Sequence, residues 1–173
     1  RRSLLPGLVE VLKRNLSRGF KNLAIFESGH VFIPGEQLGS ESIPPLGARP
    51  SDEVLADLNA GIPQQPTFIA GLFAGTEHEA MPGAAPRAYD WRDALDAVRL
   101  VAAAVSAEIQ VRNGVHTAFH PGRVAEVLNA AGERVGFAGE LHPKLLQELN
   151  LPERTCAFEL DFSALFAGRV EAH

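Results

Sequence analysis

The chain has a single cysteine, Cys156, among 173 residues, so no internal disulfide can form and a buried thiol of a cytoplasmic protein is expected. No apolar run approaches the roughly 20 residues of a membrane span, and no secretory leader precedes the first helical pattern. Basic residues are not in excess. The net charge of −5 speaks against a dedicated nucleic-acid binder, including an autonomous tRNA-binding module, because such proteins normally show a basic face. There is no glycine-rich phosphate loop of the P-loop or dinucleotide type, no nucleophile elbow and no zincin motif. Arg1 is not a methionine and almost nothing precedes the first helical pattern, so a piece of a longer chain is expected. What remains is ordinary globular composition, 46% hydrophobic and 21% charged, in a length suited to one domain spanning residues 1–173.

The pattern is clearest over residues 119–143. Two apolar runs, 124–128 and 135–141, flank turn chemistry at 129–132 and read as a β-hairpin. Both runs carry apolar groups on both faces, as expected for strands covered on two sides, and Phe137 reads as core. Gly136 and Gly139 remove side chains where another backbone must come close. His120, Pro121 and Gly122 read as loop. Pro143 suits the first turn of a helix with Leu145, Leu146 and Leu149 as its apolar stripe.

Earlier, Ser3 can cap a helix whose stripe is Leu5, Leu8, Val9, Leu12 and Leu16, with Gly19 as its stop. Lys13, Arg14 and Arg18 gather in its last turns, either as a solvated end matched to the helix dipole or as a phosphate contact. Residues 23–26 read as strand, interrupted at Gly29 and resumed over 31–33. The polar, proline-rich stretch 36–65 reads as a flexible insertion holding at most a short helix over 52–58. A strand follows at 67–75. The strongest helix is capped by Asp90, has Asp93 in its first turn, and buries Trp91, Leu95, Val98, Val101, Ala102 and Val105. Strands at 108–112 and 155–160 and a short helix after Asp161 complete the set, with a frayed tail at 169–173. The order of elements implies an α+β fold, an antiparallel sheet flanked by helices.

Four groups near the hairpin, His116, His120, Glu140 and His142, could bind zinc or act as acid and base in a hydrolase or metal enzyme. Each histidine also adjoins a turn or a proline, where imidazole caps backbone groups, and His142 is placed to cap the helix at Pro143. Arg123 could hold a phosphate or carboxylate, or pair internally with Glu126 or Glu140. Cys156 lies in an apolar strand, as an inert thiol would. Glu159 and Asp161 alternate with Phe158 and Leu160, the pattern of a half-buried strand. The residues by themselves single out no active site.

Seven segments, taken in order, resemble the β-subunit family of bacterial phenylalanyl-tRNA synthetases. They are RRSLLPGLVEVLKRNLSRG (1–19), LAIFESGHVFIPG (23–35), FIAGLFAG (68–75), YDWRDALDAV (89–98), FHPGR (119–123), GELHP (139–143) and FELDFSAL (158–165). His30 departs from the family, where arginine is frequent, and 36–65 shows no usable likeness. The resemblance implies a catalytic-like core module with the class II aminoacyl-tRNA synthetase fold but without its catalytic motifs. In class II domains an Arg-x-Glu follows the strand that matches 26–32; here Ile33, Pro34 and Gly35 follow. At the later strand–helix step, Asp161 takes the glycine-like position and Ala164 that of the second ATP-binding arginine. No catalytic, cofactor-binding or metal-binding residue is therefore expected in this chain. The implied partner is a catalytic α subunit in an α2β2 tetramer that uses ATP and magnesium to join phenylalanine to tRNA(Phe). The family's editing, tRNA-binding-like and anticodon-reading domains and its dimer-forming helix would lie outside this chain.

Overall fold

The computed structural model describes residues 1–35, 43, 44, 47, 49–78 and 80–167. Six strands form one sheet: β1 (Leu23–His30), β2 (Thr67–Ala74), β3 (Ile109–Asn113), β4 (Phe119–Asn129), β5 (Arg134–Leu141) and β6 (Cys156–Asp161). Their order is β1-β2-β6-β5-β4-β3, and every neighbouring pair is antiparallel. Helices α1 (Leu5–Ser17) and α4 (Pro143–Glu148) bury apolar residues against one face. Helices α3 (Trp91–Ala104) and α5 (Phe162–Ala167) do so against the other. The expected α+β architecture is thus a sheet between two helical layers, with a separate core on each side.

Local chemistry explains most boundaries. Helix α3 begins in a capping box: Asp90 accepts from the first turn and the Asp93 side chain accepts from the Asp90 amide at 2.8 Å. Arg87 bonds both Asp93 and Glu77, fixing the approach to the helix. Helix α1 ends at a glycine in the left-handed region, Gly19 at φ +90°, whose amide donates to Leu16 O. The helix expected over 52–58 is α2 (Asp52–Ala60), capped by Ser51, and it buries no residue. Residues 36–42, 45, 46 and 48 of the expected insertion lie outside the described residues, as do Gly168 and the tail at 169–173.

Four local expectations are corrected. Gly29 does not interrupt β1; it is a paired strand residue opposite Phe68, and the missing side chain makes room for the Arg1 guanidinium. Residues 31–33 continue only as an isolated bridge, in which Ile33 and Gln64 exchange backbone bonds at 2.9 and 3.2 Å, because Pro66 and Pro34 limit the ladder. His120, Pro121 and Gly122 are strand rather than loop: β4 runs through them with a register shift between Phe119 and Val124, a bulge that accommodates the proline. Phe137 is half-buried, packed on the rim of the core.

The buried aromatics are instead Phe119 and Phe158, 2% and 3% exposed, and the Phe158 ring lies in the gap left by Gly71 on β2. Truncation by Phe158→Ala is expected to cost about 3–5 kcal/mol, and Phe137→Ala less, in chemical denaturation. In the hairpin, a Cβ at Gly139 would overlap the Arg123 carbonyl, whereas one at Gly122 would meet nothing closer than 3.8 Å. Gly139→Ala should therefore destabilise by about 1–3 kcal/mol and Gly122→Ala should be tolerated.

Candidate functional site

Helices α1 and α4 cover the same face of the sheet. Glu159 stands on β6, near the middle of the sheet, and its Oε1 accepts from the Ser3 hydroxyl at 2.8 Å and from the Leu4 and Leu5 amides at 2.7 and 3.4 Å. Those amides are among the donors a helix start leaves unpaired. Leu4, not the expected Ser3, is the N-cap of α1 and offers no side-chain acceptor; Ser3, one residue earlier, accepts from Leu5 N at 3.2 Å, and the Glu159 carboxylate from a distant strand serves the other amides. Helix α1 is thereby pinned over the sheet, α4 lies across from it, and a cavity of about 620 Å³ remains between them. Leu5 and Val9 of α1, Leu145 and Leu149 of α4, and Leu72 and Phe137 of the floor give it apolar walls, with Arg2, His116 and Arg134 among its polar lining.

The four groups singled out near the hairpin are not assembled into one centre. His116 Nδ1 accepts from Ala118 N at 3.1 Å, His120 Nδ1 from Gly122 N at 3.1 Å, and His142 Nδ1 from Lys144 N at 3.2 Å. The same three-residue turn recurs three times, with imidazole in the place Asx side chains usually take. His142 is the cap of α4, as its position before Pro143 suggests. Each ring keeps only Nε2 for other partners. Glu140 is buried and receives Arg123 Nη1 at 2.6 Å, the internal pair expected for that arginine. Among the described residues no three or more His, Cys, Asp or Glu side chains are placed to hold a metal ion.

Cys156 is buried on β6 with its Sγ 3.0 Å from Arg154 O. Burial first, and then the negative fields of Glu140, Asp93 and Asp90, push its thiol far above the ordinary range, so it is a poor nucleophile. Asp161 Oδ1 accepts from Ala164 N at 2.9 Å, which joins β6 to α5. Of the basic group near the end of α1, Lys13 reaches Glu10 at 3.4 Å. His30 Nδ1 lies 3.2 Å from Gln65 O at the end of the β1 edge strand.

Residues 1–162 match the family described as the phenylalanyl tRNA synthetase beta chain CLM domain. The chain belongs to that family. Its relatives carry the name phenylalanine–tRNA ligase beta subunit. The protein of Leifsonia xyli subsp. xyli is 48% identical over 169 residues, covering 96% of this chain and 20% of the relative. That of Streptomyces avermitilis is 43% identical over 168 residues, with 95% and 20% covered. That of Thermobifida fusca is 36% identical over 176 residues, with 99% and 21% covered. The chain thus spans about a fifth of the length of the curated relatives it matches. Among the described residues no helix is long and apolar enough to cross a membrane.

What the sequence did not disclose in this member of the CLM family is the anchoring of α1 by Glu159 and the cavity that it frames. A carboxylate within an apolar strand reads as solvent-facing, and its partners lie 154 to 156 residues away. Replacing it by Glu159→Ala is expected to cost about 1–3 kcal/mol, the penalty for stranding donors, with a matching loss of hydrogen-exchange protection at Leu4 and Leu5.

His116 supplies a pH dependence. Burial is the main cause that holds its ring below the ordinary value of 6.5; the Arg134 charge adds to this and the Glu159 charge opposes it. The unfolded chain therefore binds that proton more readily. Stability from this group is complete above about pH 6.5 and falls as pH drops toward the lower folded value. His116→Asn keeps an acceptor for the Ala118 amide and should flatten that slope in denaturation curves taken on either side of pH 6.

Proposed function

We propose that this chain is a non-catalytic, class II synthetase-like module of a phenylalanine–tRNA ligase β subunit, supporting a catalytic α subunit. One domain spans the chain in this reading, and the enzyme is a cytoplasmic α2β2 tetramer. It uses ATP and magnesium to attach phenylalanine to tRNA(Phe), which is engaged through other parts of the assembly. Membership of the CLM family supports the reading. The observation that carries it is the side-chain chemistry at the two positions where class II catalytic domains would hold ATP.

At the first, Ile33 has only an aliphatic side chain, and its backbone is paired with Gln64. At the second, Ala164 stands in the first turn of α5 under the Asp161 cap. A triphosphate needs fixed positive charge, and guanidinium supplies it through paired hydrogen bonds. Neither residue can do so, and the Asp161 carboxylate would repel the phosphates. The residues present do not fit ATP, and no step of the reaction is assigned to them.

Co-expression of the full-length β chain with the α subunit of the same source, followed by sizing, should give one α2β2 species. Separate migration of the two chains would contradict the reading. Photo-crosslinking of that complex with 8-azido-ATP should label the α chain, and labelled peptides from residues 1–167 would refute the non-catalytic assignment.

A further inference from the structure

Cations without partners gather at one corner of the molecule, where α1 ends and β1 begins. Residues 11–26 hold Lys13, Arg14, Arg18 and Lys21 and no Asp or Glu, in a chain whose net charge is −5. The acids on either side of this stretch are already committed: Glu10 receives Lys13 at 3.4 Å, and Glu27 receives Arg1. Arg14, Arg18 and Lys21 have no carboxylate partner among the described residues. The polar side chains between them turn back onto the helix, Asn15 Nδ2 donating to Val11 O and Ser17 Oγ to Arg14 O, each at 2.8 Å.

The helix dipole favours a cation in the last turn, and that accounts for Arg14. It does not account for the apolar side chains left in water among the cations, Val11 at 40% exposed and Phe20 at 58%. Val11, Arg14 and Arg18 stand at i, i+3 and i+7 and so share one face of α1. Arg14 and Arg18 are like charges one turn apart, an arrangement that costs a helix some stability unless something anionic lies against it.

We propose that this corner is a docking surface for an acidic, amphipathic segment of a partner protein. Carboxylates of the segment pair with Arg14, Arg18 and Lys21, and an apolar side chain between them covers Val11 and Phe20. Guanidinium holds a carboxylate through two parallel hydrogen bonds, and the apolar contact beside it keeps water out. The observations favour protein over nucleic acid. A nucleic-acid surface makes many phosphate contacts along a basic stripe, whereas this corner has three unpaired cations in a net-acidic chain. Val11, an aliphatic side chain on the same face, has nothing to offer a phosphate backbone. The inference rests on the reading above only in placing the segment within the same assembly.

The test uses the full-length β chain in its purified complex with the α subunit, with tRNA present. Phe20 is replaced by photoreactive p-benzoylphenylalanine, and crosslinked products are mapped by mass spectrometry. The expected product joins position 20 to an acidic protein segment. Its yield should fall about tenfold or more with Arg14→Glu and Arg18→Glu together, since like charges set face to face oppose docking. Raising salt from about 0.1 to 1 M, which shortens the screening length from about 10 to 3 Å, should lower it too. Arg14→Gln with Arg18→Gln keeps good helix formers in place and should give a smaller fall with the fold intact. Arg99→Glu, on α3 and outside the patch, should leave the yield unchanged. The proposal is overturned if the crosslink goes to tRNA, if it maps to a segment without acids, if charge reversal leaves the yield unchanged, or if no crosslink forms. Sizing of the same complex reports separately on the α2β2 reading, so the two can fail independently.

Discussion

One carboxylate determines how this fold closes. Glu159 stands on the third strand of the sheet, yet its Oε1 serves the start of the first helix through Ser3, Leu4 and Leu5. A helix start has amides without intrahelical partners, and a charged acceptor is the strongest way to satisfy them. The contact sets where α1 lies, and α1 with α4 then roofs the apolar side chains of that face. The same strand organises the other face through its alternate residues: Phe158 fills the gap at Gly71, and Leu160 is fully buried with Leu165 of α5 in the second core. Asp161 completes the pattern by capping α5. Strand β6 is thus the shared wall of both cores and the anchor of two helices.

The polar side chains that looked chemical are bound up in this architecture. Three histidines close three tight turns with Nδ1, and Arg123 neutralises the buried Glu140. Removing Arg123 leaves the buried Glu140 charge uncompensated, so these residues matter for folding whether or not they matter for anything else. A module that supports a neighbouring catalytic chain requires a rigid sheet and fixed helices, and these interactions provide both. That fits the scaffold role proposed for this member of the CLM family.

Much of the fold could be read from local pattern. The cap at Asp90 with Asp93 in the first turn, the stop at Gly19, the hairpin around Asn129 to Gly132 and the cap at His142 each rest on contacts within a few residues, and each is found. The failures share a cause as well. Gly29 looked like a breaker because the Arg1 side chain that occupies its space is 28 positions away in sequence. The segment 120–122 looked like a loop because Pro and Gly are turn formers, but the pairing of β4 with β5 resumes beyond them and holds the bulge in the sheet. Phe137 read as core because period-two patterning cannot tell a strand's covered middle from the rim of a cavity. The cavity itself, and the role of Glu159, depend on residues brought together only by the tertiary structure.

The most direct test of the scaffold claim is the rate of phenylalanylation by the reconstituted full-length complex carrying His120→Asn, His142→Asn and Glu140→Gln with Arg123→Gln. If these side chains only hold the fold, kcat per assembled complex stays within about twofold of the parent, since general acid–base groups are worth roughly a hundredfold or more. A fall of about a hundredfold with assembly and melting temperature intact would place chemistry in this chain and contradict the scaffold role.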